Sequence, residues 1–387
     1  MTGLALTGLS TRPAQVWGGV RLVPLVREKP IEDLRLDLRL YDAEFGVVEV
    51  APRSTYFSYV PHGFVANWTP DGTPAAAYGT QLRDSAERDR APSRMPLRFH
   101  RRMALRVDKN RLRFLPLHLA LEGYLALHFG GPEIAWEEWS RRAIDHGLSP
   151  RGEEAYAGAA VKGLEDALRV FEIHPGQCGV VVYVADALAA AFAVPHPGDY
   201  RALHATLLQD LYGELIYHYA MLSGPVPDFR ARIADATVRS LADLRAQARR
   251  QREEWAAFHD QVMAGGLVGE DYTYQHVHEM GRYRLSRFLP PFERQRDNHI
   301  GELITDEAGH VAYLKTFRLS ENQVRRGHLL TRLAAHGWNL ADTAAAFGLT
   351  ETELGLRIEG AGFGHLLRQD ILDHYRAQAR RAKRPSG

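Results

Sequence analysis

Residues 115–222 constrain the fold of this chain more than any other stretch, because they contain segments that are stable only when buried. Residues 115–129 are apolar on almost every side and end at Gly130. A helix of that composition must lie in an interior. Further on, residues 178–184 form a short, β-branched run, which is typical of a buried strand. The stretch therefore predicts a core that contains both helix and strand.

A hairpin and a helix are expected directly after the buried run. Asp186 marks a tight turn, and residues 188–194 return as a second strand. Residues 195–199 then lead into a helix that runs through Tyr219. The sequence thus predicts an α+β class, with a mixed sheet packed with helices.

Two carboxylate–histidine pairs in this core are the candidate catalytic residues. His118 and Glu122 are four residues apart, and Glu214 and His218 repeat the spacing on the later helix, so each pair shares a helix face. A buried carboxylate is costly unless it is paired, and its pKa moves toward that of a useful acid or base. Either each pair is a satisfied structural contact or faces solvent, or the residues share a catalytic or ligand pocket.

A second candidate ligand site lies at the start of the later helix. His196 precedes that helix, whose free N–H groups are suited to an anion. The alternative is that Asp199 is the N-cap and fills the position with its own carboxylate.

The N-terminal part, residues 15–107, is β-rich, and residues 34–40 alternate strictly between apolar and charged side chains. A dense basic stretch follows at residues 98–113. It is the predicted contact for a phosphate-bearing ligand or nucleic acid, or else a solvated strand face. Its candidate ligand-binding residues are Arg101, Arg102 and Arg113.

The chain as a whole has the composition of an ordinary globular protein. Its 387 residues carry 48 Lys and Arg against 47 Asp and Glu, so the net charge of +1 does not favour or disfavour nucleic acid. The lone Cys178 excludes a disulfide within the chain and favours the reducing cytoplasm. Neither a signal peptide nor a membrane span is evident, so no membrane partner is expected.

Common catalytic motifs are missing from the sequence. It contains no phosphate-binding loop ending in Lys-Ser or Lys-Thr, no Gly-x-Gly-x-x-Gly, no Gly-x-Ser-x-Gly and no His-Glu-x-x-His. The richest histidine and carboxylate neighbourhood is interpreted as an ordinary polar surface, and neither metal nor cofactor is predicted. It comprises His276, His278, Glu279, His299, Glu302, Asp306 and His310.

A long helix is predicted from about Asp228 to Gly265-Gly266. Six apolar residues and one glutamine recur along it at alternating spacings of three and four, which gives one apolar seam on a charged rod. The seam can pack on the core, bridge two domains or form a homodimer. Its members are Leu241, Leu244, Ala248, Gln251, Trp255, Phe258 and Val262.

Residues 330–363 resemble the helix-turn-helix of the Fis-type DNA-binding family. Asn339 and Thr350 are at N-cap positions, Gly348 is at the turn, and Leu354 and Ile358 are at core positions of the presumed recognition helix. The remaining positions of the resemblance are Gly337, Ala344, Phe347, Leu349 and Gly362. The resemblance implies DNA as a partner.

The residues expected to contact DNA lie on that helix and in the tail. They are Thr350, Thr352, Arg357, Arg380, Arg381 and Lys383. Three acids on the recognition helix, Glu351, Glu353 and Glu359, oppose this reading because they repel phosphate. The competing interpretation is a helical module for dimerisation or docking.

The segments 119–124, 163–168 and 175–183 resemble a bacterial family named for its genomic association with ADP-ribosylglycohydrolases and rhodanese-like phosphatases. This resemblance implies a link to NAD or ADP-ribose metabolism and supplies no catalytic residues.

Together these features predict three parts: a mixed α/β domain at 1–225, a long helix and connecting region at 226–318, and a helix-turn-helix with a basic tail at 319–387. The predicted function is regulatory, with ligand or partner sensing coupled to DNA binding. The alternatives are a hydrolase or transferase of a nucleotide-like substrate and an assembly protein without DNA binding.

Overall fold

The computed structural model describes residues 4–37, 47–51, 54–57, 65–67, 76–77, 81–83, 164–168, 171–226 and 232–382. These residues form an α+β fold, as predicted, in which a nine-stranded sheet is covered by helices on both faces. None of the helices in these ranges combines the length and the apolar composition that crossing a bilayer requires.

Fifteen strands are described. They are β1 (Ser10–Thr11), β2 (Gln15–Trp17), β3 (Val20–Val26), β4 (Arg35–Asp37), β5 (Val47–Ala51), β6 (Ser54–Phe57), β7 (Val65–Asn67), β8 (Ala76–Ala77), β9 (Gln81–Arg83), β10 (Gln177–Val184), β11 (Ala187–Ala193), β12 (Thr273–Met280), β13 (Tyr283–Leu289), β14 (His299–Asp306) and β15 (Val311–Arg318). The large sheet has the order β1-β3-β10-β11-β15-β14-β13-β12, with β2 paired to β3. All of its described pairings are antiparallel.

The predicted hairpin of β10 and β11 is confirmed and forms the centre of the sheet. Ala185 and Asp186 both have positive φ, 45° and 63°. Two such residues make the tight turn that matches the twist of the flanking strands. Nearly every residue of the two strands is buried, because β3 and β15 pair on either side and helices cover both faces.

The α-helices are α1 (Leu164–Leu168), α2 (Pro197–Thr206), α3 (Gly213–Ile216), α4 (Leu241–Phe258), α5 (Gly265–Val268), α6 (Glu321–Ala335), α7 (Leu340–Phe347), α8 (Glu351–Ile358) and α9 (Gln369–Ala382). Four π-helical segments adjoin them: Leu207–Leu211, Tyr217–Met221, His259–Met263 and Glu359–Phe363. The helix predicted through Tyr219 is therefore present but broken, since α2 and α3 each continue into a π segment.

The predicted start of the long helix was wrong. Helix α4 begins at Leu241, because Ser240 adopts an extended conformation and its side chain accepts a hydrogen bond from the Asp243 N–H. In return, Asp243 accepts from the Arg239 N–H at 3.0 Å. These two bonds give acceptors to N–H groups that have no partner within the helix.

Strands β12 to β15 were not predicted, and they change the domain picture. β15 pairs with β11, so residues on both sides of position 225 belong to the same sheet. The domain boundary predicted at residue 225 therefore falls inside one sheet.

Two apolar layers cover the faces of the sheet. On one face, the sheet packs against α2 and the C-terminal helices through one core, which includes Phe192, Ile300, Phe317, Leu203, Leu330 and Leu354. On the other face, the core includes Val181, Ala191, Leu314, Trp255 and Leu267, so α4 and α5 pack there.

Helices α6 to α9, residues 321–382, are called the C-terminal helical unit below. Asn339 caps α7 and Thr350 caps α8, as predicted, and Gly348 between them has φ 64°. Leu354 and Ile358 are buried. Phe292, in the loop after β13, packs its ring so closely on Gly327 of α6 that a β-carbon there would overlap the ring. The unit is thus fixed to the sheet by close packing.

Candidate functional site

A row of three charged side chains crosses the large sheet. Arg287 of β13 lies directly opposite Glu302 of β14, and Glu302 lies directly opposite Lys315 of β15. Alternation along the strands puts all three on the face that carries Ile300 and Phe317. Glu302 and Lys315 are fully shielded from solvent, and Arg287 is 5% exposed. These three residues are called the charged row.

Opposite charges alternate along the charged row, which lowers the cost of burying them. Directly opposed residues in an antiparallel pair have β-carbons about 4.5–5.5 Å apart, so these long side chains are within reach of each other. Burial lowers the pKa of the Lys315 ammonium well below its ordinary value. The opposing carboxylate acts in the other direction, because it favours the charged form. Lys315 Nζ also lies 5.7 Å from the centre of the Phe317 ring.

The chemistry of the charged row suits an anion better than a metal ion, since two cationic groups flank one carboxylate. Within the described ranges there is no group of three or more His, Cys, Asp or Glu side chains that could hold a metal ion. Because its members are shielded, the charged row places opposite charges on neighbouring strands inside the sheet layer. Removing one member leaves a buried charge without its compensation.

A short polar chain lies on the same face at β10. Gln177 Nε2 donates to the Tyr200 hydroxyl at 3.2 Å, and that hydroxyl lies 3.1 Å from His204 Nδ1. Burial lowers the pKa of His204 and raises the pKa of Tyr200. Both groups are therefore neutral at pH 7 and tie α2 to the strand.

An acid–base array lies on the opposite face. The Tyr183 hydroxyl is 2.8 Å from His259 Nε2, and His259 Nδ1 is 2.9 Å from Asp260 Oδ1. Tyr183 and His259 are buried, whereas the Asp260 side chain is 59% exposed. The Asp260 carboxylate can only accept, so the proton of that bond is on His259 Nδ1, which leaves Nε2 to accept from the Tyr183 hydroxyl. Burial raises the pKa of Tyr183, so the phenol keeps its proton. The array links a surface carboxylate to a buried phenol through a π segment.

Most of the predicted catalytic and ligand-binding residues are not described. His118, Glu122, Arg101, Arg102 and Arg113 lie outside the described residues. Glu214 is in α3, where only its backbone is described, and His218 is exposed on the following π segment. The shared pocket of Glu214 and His218 therefore stays a prediction.

His196 occupies the helix N-terminus that was considered for an anion. Its Nδ1 accepts from the Gly198 N–H at 3.0 Å, and its Nε2 lies 3.4 Å from Glu32 Oε1. The N-cap of α2 is thus His196, and the prediction of Asp199 as the cap was wrong. Asp199 is buried one turn into the helix.

The side chains predicted to contact DNA are partly engaged within the chain. Thr350 is the cap of α8, and Thr352 donates a hydrogen bond to Gln378 of α9. Arg357 is exposed and lies over the Phe347 ring, 4.9 Å from its centre. Arg380 and Arg381 are exposed on α9, and Lys383 lies beyond the described residues.

Helix α9 packs antiparallel along α8. Gly355 lies against the Tyr375 ring so closely that a β-carbon would overlap it, and Thr352 meets Gln378 three residues further along α9. This direction brings the end of α9, with Arg380 and Arg381, next to the N-terminal end of α8.

The acids of α8 and of the π segment that follows it make contacts within the chain. The Glu353 carboxylate accepts from the Thr350 N–H at 2.8 Å and from its hydroxyl at 2.9 Å. Glu359 forms an ion pair with Arg376, and Glu351 accepts from the Tyr375 hydroxyl. Arg376 offsets the charge of Glu359. The neutral donors leave Glu351 and Glu353 negatively charged, and the bonds from Thr350 hold the pKa of Glu353 below its ordinary value.

Sequence reasoning missed the charged row. Glu302 and His299 were assigned to an ordinary polar surface, yet both are fully buried. By contrast, His276 and Glu279 are exposed, as that interpretation expects. Lys315, the one charged residue in the run Val-Ala-Tyr-Leu-Lys-Thr-Phe, was the signal that could have identified a buried charge.

A family model described as ARPP-2 matches residues 4–281. No curated protein matches the chain, and no solved structure does.

Proposed function

The chain belongs to the ARPP-2 family, and we propose that it is a cytoplasmic regulatory protein whose sheet-containing part senses a ligand or partner while its C-terminal helical unit docks on DNA. In this proposal α7 and α8 serve as a helix-turn-helix. The link to NAD or ADP-ribose metabolism, implied by resemblance, is part of the proposal and supplies the ligands to be tested.

One observation carries the DNA half: exposed arginines lie next to the N-terminal end of α8. In helix-turn-helix proteins this end of the second helix approaches the bases, while neighbouring cations hold phosphates. Arg380 and Arg381 are positioned for the second role, and Arg357 extends the cationic surface along α8. Of the acids that oppose binding, Glu359 is offset by its ion pair with Arg376, whereas Glu351 and Glu353 stay charged and weaken the attraction to phosphate.

The shared core supports the sensing half. Residues of the C-terminal helical unit, among them Leu330 and Leu354, belong to the same apolar cluster as Ile300 and Phe317 of the sheet. A ligand that shifts the sheet face must also shift the helices packed on it, because close-packed interiors transmit displacement.

Binding of the full-length chain to a fluorescent DNA duplex of about 20 base pairs tests the DNA half. The double variant Arg380→Ala/Arg381→Ala should bind more weakly, with a salt dependence reduced by about one unit of slope for each arginine. Arg368→Ala is the matched control, because Arg368 is an exposed arginine of the same region that is paired with Asp370. If the double variant and the control bind the duplex with equal affinity, α9 is not part of the DNA-binding surface.

Calorimetry with ADP-ribose and with NAD tests the sensing half separately. Heat of binding to the full-length chain is the expected result. If the chain binds DNA and gives no heat with either compound, the proposed DNA binding stands and the proposed link to these ligands is wrong.

A further inference from the structure

Three exposed arginines from three different elements surround His328. Arg332 is one turn after His328 on α6, so the two residues share a face of that helix. The centres of the His328 and Phe347 rings are 5.8 Å apart, and Arg357 of α8 lies over the same phenylalanine ring. The third arginine, Arg294, is in the loop between β13 and β14. Arg294, Arg332 and Arg357 are called the arginine cluster.

The charges of the arginine cluster act on one point of the surface. Burial lowers the pKa of His328, and Arg332, Arg357 and Arg294 lower it further because they repel the imidazolium form. Between exposed groups such repulsion is largely screened beyond about 8 Å at physiological salt. The three guanidinium groups therefore lie around the same imidazole.

The members of the arginine cluster have no ion pair with a carboxylate in the described part of the chain. By contrast, Arg296 in the same loop pairs with Glu293 at 3.2 Å, and Arg325 on the same helix pairs with Glu321. Like charges that are brought together without a counter-charge repel each other. An anion bound among them would remove that repulsion.

The loop that carries Arg294 is fixed before any ligand arrives. The Asn298 side-chain amide donates to the carbonyls of Glu293 and Arg296, at 2.7 and 2.9 Å, and so holds the loop on both sides of that arginine. The ring of Phe292 anchors the loop on α6. Groups that are already in place lose little freedom on binding, which favours affinity. The arginine cluster thus joins the sheet to the C-terminal helical unit.

We propose that the arginine cluster binds a small phosphate-bearing ligand, and that the bound ligand weakens the binding of the C-terminal helical unit to DNA. A guanidinium group can donate two parallel hydrogen bonds to one phosphate. Cations that converge on one point suit a compact anion such as a diphosphate, whereas a duplex offers phosphates in a row. Arg357 belongs to both surfaces, so ligand and DNA compete for it. This inference gives a site to the sensing half of the proposed function and rests on that function.

Calorimetry of the full-length chain with inorganic pyrophosphate, at constant ionic strength, tests the site. The wild type should bind, and Arg294→Ala/Arg332→Ala should bind about tenfold more weakly or worse, because two charged hydrogen-bond donors are lost. The charge-matched control Arg296→Ala/Arg325→Ala changes two paired arginines of the same loop and helix, and should bind like the wild type. No heat from the wild type, or equal weakening in both double variants, would overturn the site. If ADP-ribose binds the wild type and Arg294→Ala/Arg332→Ala alike, the sensing half stands and this site is wrong.

DNA binding measured with and without pyrophosphate tests the competition. At constant ionic strength, saturating pyrophosphate should weaken binding of the wild type to the duplex by about fivefold or more and leave Arg294→Ala/Arg332→Ala unaffected. An equal effect on both chains would show general competition by an anion and contradict the proposed coupling. If Arg294→Ala/Arg332→Ala without pyrophosphate loses as much DNA affinity as Arg380→Ala/Arg381→Ala, the arginine cluster is part of the DNA surface and the small-ligand site is wrong.

Discussion

Replacing Glu302 with leucine removes the only carboxylate of the charged row and leaves Arg287 and Lys315 inside the sheet layer. These two cations lie two strands apart, about 10 Å. At an effective dielectric constant of about 20, like charges at that distance repel by roughly 1.7 kcal/mol. This value is an upper bound, because burial lowers the pKa of Lys315 and the ammonium can lose its proton once the carboxylate is gone. Together with the lost attraction to the carboxylate, the expected fall in the free energy of unfolding is about 3–5 kcal/mol, the usual cost of breaking a buried ion pair.

A double-mutant cycle makes this prediction specific to charge. Lys315→Met should cost only about 1 kcal/mol, because Glu302 then keeps Arg287 opposite it and the cost of burying the ammonium is removed. In the double variant Glu302→Leu/Lys315→Met, part of the loss should be recovered, with a coupling energy of about 2 kcal/mol.

Urea unfolding followed by circular dichroism measures all three variants, with an unchanged dependence on urea concentration as the check that the unfolded states are alike. Leu314→Met, on the same strand and the other face, is the control and should cost less than about 1.5 kcal/mol. If the loss of unfolding free energy in the double variant equals the sum of the two single losses to within about 0.5 kcal/mol, the charges do not interact.

Three further predictions concern packing and titration. Gly355→Ala should destabilise the chain by about 1–3 kcal/mol through overlap with α9, whereas Gly360→Ala, with open space around it, should be neutral or stabilising in thermal melting. Burial lowers the pKa of His299 to about 4, against about 6.5 in an unfolded chain. Protonation therefore favours unfolding, and urea midpoints of the wild type should fall more steeply than those of His299→Gln between pH 6.5 and 4. Tyr183→Phe should lower the free energy of unfolding by about 1–3 kcal/mol, because it leaves a buried imidazole nitrogen without its donor. Tyr212→Phe should lower it little, since the Tyr212 hydroxyl has no hydrogen-bond partner in the described part of the chain. Equal losses of the two variants in urea unfolding would contradict this contrast.

The parts of the fold that depend on local chemistry could be predicted from the sequence. The hairpin of β10 and β11 was found because a β-branched run and a turn residue are both local signals. The caps Asn339 and Thr350 were found for the same reason, since a capping side chain bonds to N–H groups two or three residues away. Such features need no knowledge of distant partners.

The parts that depend on distant pairing could not be predicted. β14 contains Gly301 and Glu302 at positions where an isolated strand pattern shows no clear alternation. Only pairing with β13 and β15 makes Glu302 an interior residue. The start of α4 was misplaced because helix-forming residues precede Ser240, and the hydrogen bonds of that serine decide where the helix begins.

The candidate sites illustrate the same division. His196 was correctly singled out at a helix start, but which side chain caps that helix depends on the rotamer of the histidine and on Glu32, far away in sequence. The ion pair between Glu359 and Arg376 forms because α9 folds back along α8. No local sequence pattern predicts that contact.

Titration of a DNA duplex with the full-length chain at several salt concentrations tests the central proposal most directly. If phosphates are held by Arg357, Arg380 and Arg381, the logarithm of the binding constant should fall linearly with the logarithm of the salt concentration, with a slope of about −3 or steeper. Absence of binding at the lowest salt, by a chain whose circular dichroism is that of the folded protein, would contradict the assignment of the C-terminal helical unit to DNA.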